Sequence, residues 1–361
     1  MIRLGHINDT IMIKLNLKEN KIISLFLQIG EMSSSDVHKK MIETGEVFSL
    51  VTIKRALTIM VKKGLLMRKG FGRATLYRVT SLGRIFFEVD ARTYIAIEPD
   101  KRYGLKSYNF ELLKALSREI FTNSELKSLG QMTDDYKKKT KELSPTIHKK
   151  ELERLIIELS WKSSRIEGNT YTLLDTEKLI LENRLAQGKT KEETQMILNH
   201  KNAFSFAREN KNLFKGLTKA NLGQMHSLLV QGLNVSNGLR KHPIGVSGSI
   251  YRPLDNIYQI TEAIEDLCSS VNKMKSIYTK SIIALLGISY IQPFEDGNKR
   301  TSRLMADALL LAYGLVPLSY RSVDEKEYRD AVLVFYELNS LIPFKKIFIE
   351  QYEFAARNYA V

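Results

Sequence analysis

Residues Gln292–Arg303 read QPFEDGNKRTSR, and their types suit the binding of an anion with several negative charges. Asp296-Gly297-Asn298 is a turn sequence able to take left-handed backbone angles, which set successive N–H groups on one side as an anion nest. A helix starting after it would aim its N-terminus at the same point. Arg300 and Arg303 lie one turn apart on that helix, so both guanidinium groups reach bound phosphates. Asp296 adds a carboxylate beside them, which suits a bridging Mg2+. A second string, SSRIEGN at Ser163–Asn169, spaces Ser163 and Glu167 i, i+4 on one helix face.

Taken whole, the first string resembles the Fic (Fido) family motif, His-x-Phe-x-Asp/Glu-Gly-Asn-Gly-Arg-x-x-Arg. ELSWKSSRIEGNTYTLLDTEKLI and MILNHKNAF are similar to that family's preceding helices, so the resemblance covers about residues 150–345. It implies an all-helical domain with a small β-hairpin flap that binds ATP and Mg2+. The activity it implies is transfer of AMP to a Ser, Thr or Tyr hydroxyl of a target protein. Carried over by position, Phe294 anchors the loop, Asp296 holds Mg2+, and Gly297 and Asn298 line the nest. Arg300 supports the phosphates and Arg303 pairs with the γ-phosphate. Gly248, Ser249, Ile250 and Tyr251 correspond to the flap, which lies over the nucleotide and aligns a target segment by strand addition. Tyr328 and Tyr336 fall where the family lines its adenine pocket. SSRIEGN is similar to the inhibitory motif Ser/Thr-x-x-x-Glu-Gly/Asn of the subclass with an N-terminal inhibitory helix. That likeness gives Ser163, Glu167 and Gly168 an inhibitory role, with Glu167 bonding Arg303 where the γ-phosphate belongs.

Two positions depart from the motif. Gln292 stands at the histidine, and an amide can hydrogen-bond an attacking hydroxyl but has no affinity for its proton. Lys299 replaces a glycine, as in the Doc branch of the family, where it would be a phosphate contact. The resemblance therefore implies an ATP-binding relative of protein adenylyltransferases, autoinhibited by Glu167, with weak or lost catalysis. It leaves open a nucleotide-responsive, DNA-binding transcriptional regulator that uses the domain as sensor or homodimerisation unit. A Doc-like phosphotransferase, or removal of AMP with Glu167 positioning water, stays open too.

The elements that position these residues are helices. Apolar spacing predicts Ile147–Ser164, Leu174–Gln187, Lys191–Glu209, Lys219–Leu229, Asn256–Met274, Thr279–Tyr290, Asn298–Tyr313, Lys326–Tyr336 and one more after Pro343. Pro243–Leu254 reads as a short hairpin or flap. Residues 1–90 form a separate unit, with helices over Lys18–Ile29, Ser34–Glu43 and Leu50–Lys63 and a hairpin of Leu65–Arg68 and Thr75–Val79. That order resembles a winged helix-turn-helix domain, so the fold expected is mainly α with a winged domain ahead of a Fic domain at 146–361. Such a domain would set Ser49, Thr52, Lys54 and Arg55 at base edges or phosphates and Arg68, Lys69 and Arg73 of the wing on the DNA backbone. Residues 91–145 read as a partly helical connector, with a helix over Phe110–Ile120 and a charged stretch over Met132–Lys141.

The formal net charge is +15, which favours polyanionic partners. A single cysteine, Cys268, excludes an intramolecular disulfide and a cysteine zinc cluster and fits a reducing cytoplasm. The N-terminus lacks the apolar core of a signal peptide, and the longest apolar stretch, Ile282–Tyr290, is too short to span a bilayer.

Overall fold

A computed structural model describes residues 13–361, the side chain of Arg73 excepted. The signal-peptide reading of the N-terminus and the Arg73 phosphate contact therefore lie outside the described residues. Helices α1 (Leu17–Ile29), α2 (Ser34–Glu43) and α3 (Leu50–Lys62) each start at a side-chain cap, from Asn16, Ser33 and Ser49. Such a cap satisfies an N–H group that the first helical turn leaves free. Ile22, Phe26, Val37, Met41, Ile53 and Leu57 bury the facing stripes of the three helices. Strands β1 (Leu66–Lys69) and β2 (Leu76–Val79) follow as an antiparallel pair with Leu66 opposite Val79. They are the only two-stranded sheet among the described residues.

Short helices α4 (Ser81–Ile85), α5 (Ala91–Ile95) and α6 (Leu112–Leu116) lead into α7 (Asn123–Lys141). The helix expected over 110–120 is only α6, because Glu119 Oε1 takes the N–H groups of Ile120 and Phe121 in a turn. The charged stretch 132–141 is instead the second half of α7. Only Leu129, Thr133 and Tyr136 of that helix are buried, a stripe too narrow to stand out among its lysines. The α7 helix packs along the last helix of the chain, and Thr133 Oγ1 lies 2.6 Å from the hydroxyls of Tyr278 and Tyr352.

Nine longer helices complete the fold: α8 (Pro145–Ile166), α9 (Leu173–Glu182), α10 (Lys191–Glu209), α11 (Lys219–Val230), α12 (Ile257–Lys273), α13 (Ile277–Ile291), α14 (Asn298–Ala312), α15 (Glu325–Leu338) and α16 (Ile342–Asn358). Every residue of α13 from Thr279 onward is buried, which makes it the axis against which α12 and α14 pack. Helix α9 stops at Glu182, short of the expected Gln187, because Asn183 turns left-handed at φ 56°.

The expected hairpin flap is not a hairpin. Residues 243–254 contain a turn, with Ser249 N–H donating to Val246 O at 3.2 Å, but its two arms do not pair with each other. Arg252 bridges in parallel to Ser107, and its N–H donates to Lys106 O at 3.0 Å. The segment is held by a neighbouring stretch of the chain rather than by its own second arm.

Candidate functional site

Helix α13 ends at Gln292, which takes a left-handed conformation (φ 51°) and turns the chain into the loop. Asn298 closes that loop: its Oδ1 accepts from Phe294 N–H and its Nδ2 donates to Phe294 O, both at 2.8 Å. Between them Gly297 sits at φ 77°, and a Cβ there would press on Val230 Cγ1 at 3.2 Å. Glycine is thus required both by the turn and by the close approach of α11. Phe294 is buried as expected, its ring stacked on His226 at 3.7 Å and 8°.

Helix α14 then carries its cations beneath the loop. Arg300 Nη2 pairs with Asp296 Oδ2 at 3.1 Å, while its buried Nη1 has no partner. Arg303 is fully buried, donating from Nε to Ser163 Oγ at 2.7 Å and from Nη2 to Ser163 O at 2.9 Å. Glu167, the C-cap of α8, sets Oε1 2.8 Å from Arg303 Nη2 and Oε2 3.7 Å from Lys299 Nζ. Burial alone would push the Glu167 carboxyl up, but the adjacent Arg303 and Lys299 charges bring it below the ordinary glutamate range. Arg303 loses hydration by burial, yet the Glu167 carboxylate holds its pKa above the ordinary arginine value. Both groups stay charged and meet as an ion pair at 2.8 Å.

The cavity over the loop measures about 190 Å³ and is lined by Glu167, Gln292, Asp296, Lys299 and Arg300 together with Ile244–Ser247. A larger cleft, about 880 Å³, lies elsewhere, between Glu88–Arg92 and helices α15 and α16. The two predicted tyrosines are close by but enclosed. Tyr328 stacks its ring over Arg303, with the guanidinium 5.6 Å from its centroid, and Tyr336 OH accepts from Gln292 Nε2 at 3.2 Å. Gln292 Nε2 also donates to Ser289 O at 2.6 Å, so its amide nitrogen is fixed and its Oε1 is the end that can face a ligand.

The Fic/DOC family matches residues 216–310, a stretch that includes the whole loop. The chain carries a Fic/DOC domain. Residues 16–92 match the penicillinase repressor family. Among curated relatives, the protein adenylyltransferase Fic of Drosophila willistoni is 28% identical over 173 residues, 46% of this chain and 34% of that protein. Its counterpart in Culex quinquefasciatus is 26% identical over 234 residues, 61% of this chain and 46% of that protein. The chain thus spans about a third to a half of the length of these relatives. Solved structures agree in fold: Fic-1 of C. elegans superposes with TM-score 0.55 at 18% identity, covering 65% of this chain and 70% of that one. A Fic domain-containing signaling protein of Bacteroides thetaiotaomicron gives TM-score 0.55 at 17% identity, covering 63% and 94%.

Within the Fic domain, the flap residues fall differently from expectation. Gly248, Ser249, Ile250 and Tyr251 do not line the cavity; residues 244–247, one step earlier, do. Ser249 Oγ and Ile250 N–H donate to Glu337 Oε1 at 2.7 and 3.2 Å, and buried Tyr251 donates to Tyr290 O at 2.8 Å. The competing demand is Glu337, a fully buried carboxylate that needs donors. Gly168 touches none of the phosphate-site cations among its hydrogen bonds; its N–H donates to Arg165 O at 3.0 Å and ends α8.

Three residues escaped the sequence. Arg240 straps the loop, its Nε donating to Gln292 O at 2.6 Å and its N–H to Pro293 O at 3.0 Å. His226 meets Asp296 O through Nε2 at 3.0 Å. His200 lies fully buried, with neither ring nitrogen partnered. His200 lies within MILNHKNAF but drew no role there, Arg240 and His226 belong to no motif, and a lone histidine on an apolar helix face reads as core.

His200 has a measurable consequence. Burial, and then the Arg303 and Arg300 charges, hold its pKa well below the usual 6.5. The unfolded imidazole gains a proton as pH falls through 6.5 and the folded one does not. The unfolded state then binds more protons, so stability drops as pH falls, on the order of 1 kcal/mol per pH unit. Thermal melting at pH 7.5, 6.5 and 5.5 should show this slope, and His200→Gln should reduce it.

On the winged unit, Ser49 and Thr52 are engaged with each other: Ser49 Oγ lies 2.9 Å from Thr52 Oγ1 and accepts Thr52 N–H at 3.2 Å. Lys54, Arg55, Arg68 and Lys69 are exposed.

Proposed function

We propose that this chain binds ATP with Mg2+ at the loop Gln292–Arg303, that Glu167 holds the γ-phosphate position closed, and that AMP transfer to protein hydroxyls is weak or lost. The observation that carries the reading is the Glu167–Arg303 contact. It puts a carboxylate on the arginine the γ-phosphate would use, in a cavity of about 190 Å³. Nucleotide-sized ligands take roughly 300–1,000 Å³. The residues otherwise fit the ligand. Arg300 and Arg303 each keep a buried guanidinium nitrogen without a partner, and a buried donor of this kind is costly unless something accepts from it. Asp296 is an exposed carboxylate paired with Arg300, and no cluster of three or more His, Cys, Asp or Glu capable of holding a metal by itself exists among the described residues. That suits Mg2+, which keeps water and phosphate oxygens as most of its ligands and would neutralise phosphate charge here. Gln292 Oε1 can accept a hydrogen bond from a target hydroxyl and orient it, but the amide does not take the proton.

Glu167→Gly should raise ATP affinity by about 10–100-fold, the value of a charged hydrogen bond of roughly 1.5–3 kcal/mol. Calorimetry with MgATP measures it. Arg303→Ala in that background should abolish the gain, and equal binding with and without Arg303 would remove the phosphate assignment.

A second reading has its own observation: a DNA-binding regulator that senses the nucleotide. The six residues Tyr336–Leu341 touch the loop, the segment beside the cavity, the stretch after the winged unit and the end of the winged unit itself. Tyr336 holds Gln292, and Glu337 holds the segment over the cavity. Glu337 also takes Arg102 Nη1 at 3.1 Å and Tyr94 OH at 2.8 Å from the stretch after the winged unit. Ser340 Oγ donates to Phe87 O, and Leu341 N–H donates to Ile85 O at 3.0 Å. We assign residues 1–90 to the DNA-binding domain, 91–145 to the connector and 146–361 to the Fic domain. A Doc-like phosphotransfer would use Lys299, which lines the cavity with its Nζ 3.7 Å from Glu167 Oε2, but no separate observation favours it.

A further inference from the structure

The charge pattern of the winged unit does not explain one residue, Phe71. From 47 to 87 the chain has no Asp or Glu and nine Lys or Arg. In the middle of this stretch, at the tip of the β1–β2 hairpin, Phe71 is 85% exposed. Its position is fixed by the turn: Ala74 N–H donates to Phe71 O at 3.2 Å. Gly70, at φ 78°, brings the backbone so close that a Cβ would lie 2.5 Å from Ala74 O. The turn can therefore be made only around a glycine, and it leaves the aromatic ring bare. The first turns of α3 add exposed Val51, Lys54 and Arg55.

A ring this exposed, within a hairpin that carries cations and no carboxylate, asks for a partner both polyanionic and apolar in its interior. Duplex DNA has that combination, with phosphates outside and stacked bases within. Apolar side chains are known as wedges that enter a base step from the minor groove and partly unstack it. We propose that Phe71 is such a wedge, inserted between base pairs while Arg68 and Lys69 neutralise the flanking phosphates and α3 lies in the neighbouring major groove. The inference rests on the DNA-binding reading above and adds to it a distortion of the duplex.

The test uses the full chain and needs no operator sequence. Closed-circular plasmid is relaxed by topoisomerase at low salt with saturating protein, and binding is followed separately by gel shift. Wedge insertion unwinds the duplex, so the plasmid recovered after wild-type protein should carry a linking-number change. Phe71→Ala should bind about tenfold more weakly and, when saturating, leave the linking number unchanged, whereas Phe71→Leu should keep the change. Lys54→Ala should weaken binding yet still unwind at saturation. Unwinding by Phe71→Ala equal to wild type, or wild-type binding with no unwinding, overturns the wedge alone. No gel shift at low salt by the wild type overturns the DNA-binding reading, and the wedge with it.

Discussion

The double variant Glu167→Gly, Gln292→His should transfer labelled AMP from ATP to protein about 10²–10⁴-fold faster than Glu167→Gly alone. The size of the effect is that of a general base, and the geometry says why this one position decides it. Position 292 caps α13 in a left-handed turn, lines the cavity and is braced by Tyr336 and by Arg240 on its backbone carbonyl. An imidazole placed there would inherit the bracing and add a nitrogen that titrates near neutral pH. Gln292→His with Glu167 intact should gain much less, because the carboxylate still sits on Arg303. A wild-type chain that labels protein as fast as the double variant would sink the reading of Gln292 as a lapsed base. Equal rates for the double variant and Glu167→Gly would show that something other than position 292 limits the reaction.

The helical order and the loop were legible because each has a local signal. Apolar stripes at helical spacing mark the winged unit, and the spacing of Asp296, Arg300 and Arg303 marks the anion site. Ser163 and Glu167 were found for the same reason, being four residues apart across the C-terminal end of α8. What stayed hidden depends on partners far away in sequence. The flap segment follows Glu337 rather than its own hairpin signal, and Arg240 is defined by carbonyls at Gln292, Pro293, His242 and Leu254. Helix α7 buries three residues in nineteen, so its lysines mask it. Pairwise spacing reports one face of one element; it does not report which distant carboxylate needs donors.

Arg102→Met should separate the two halves of the molecule. The Arg102–Glu337 pair is buried on both sides, with side-chain exposures of 4% and 0%. Removing one partner of such a pair costs about 3–5 kcal/mol, since the other charge is left without its counterion. Arg102 also donates from Nη1 to Gly248 O at 2.9 Å and from Nε to Ile97 O at 2.7 Å, so it ties the segment over the cavity directly to the stretch that follows the winged unit. In the variant, amide exchange should speed up at residues 244–252 while α13 and α14 keep their protection, as expected of a local opening. If the second reading holds, MgATP bound to Glu167→Gly protein should change affinity for a mixed-sequence duplex by at least about fivefold, and DNA should change ATP affinity by the same factor. Adding Arg102→Met should bring that factor close to one while leaving each ligand able to bind. An undiminished factor would mean that coupling runs elsewhere, and no coupling in the Glu167→Gly parent would mean that the two domains act independently.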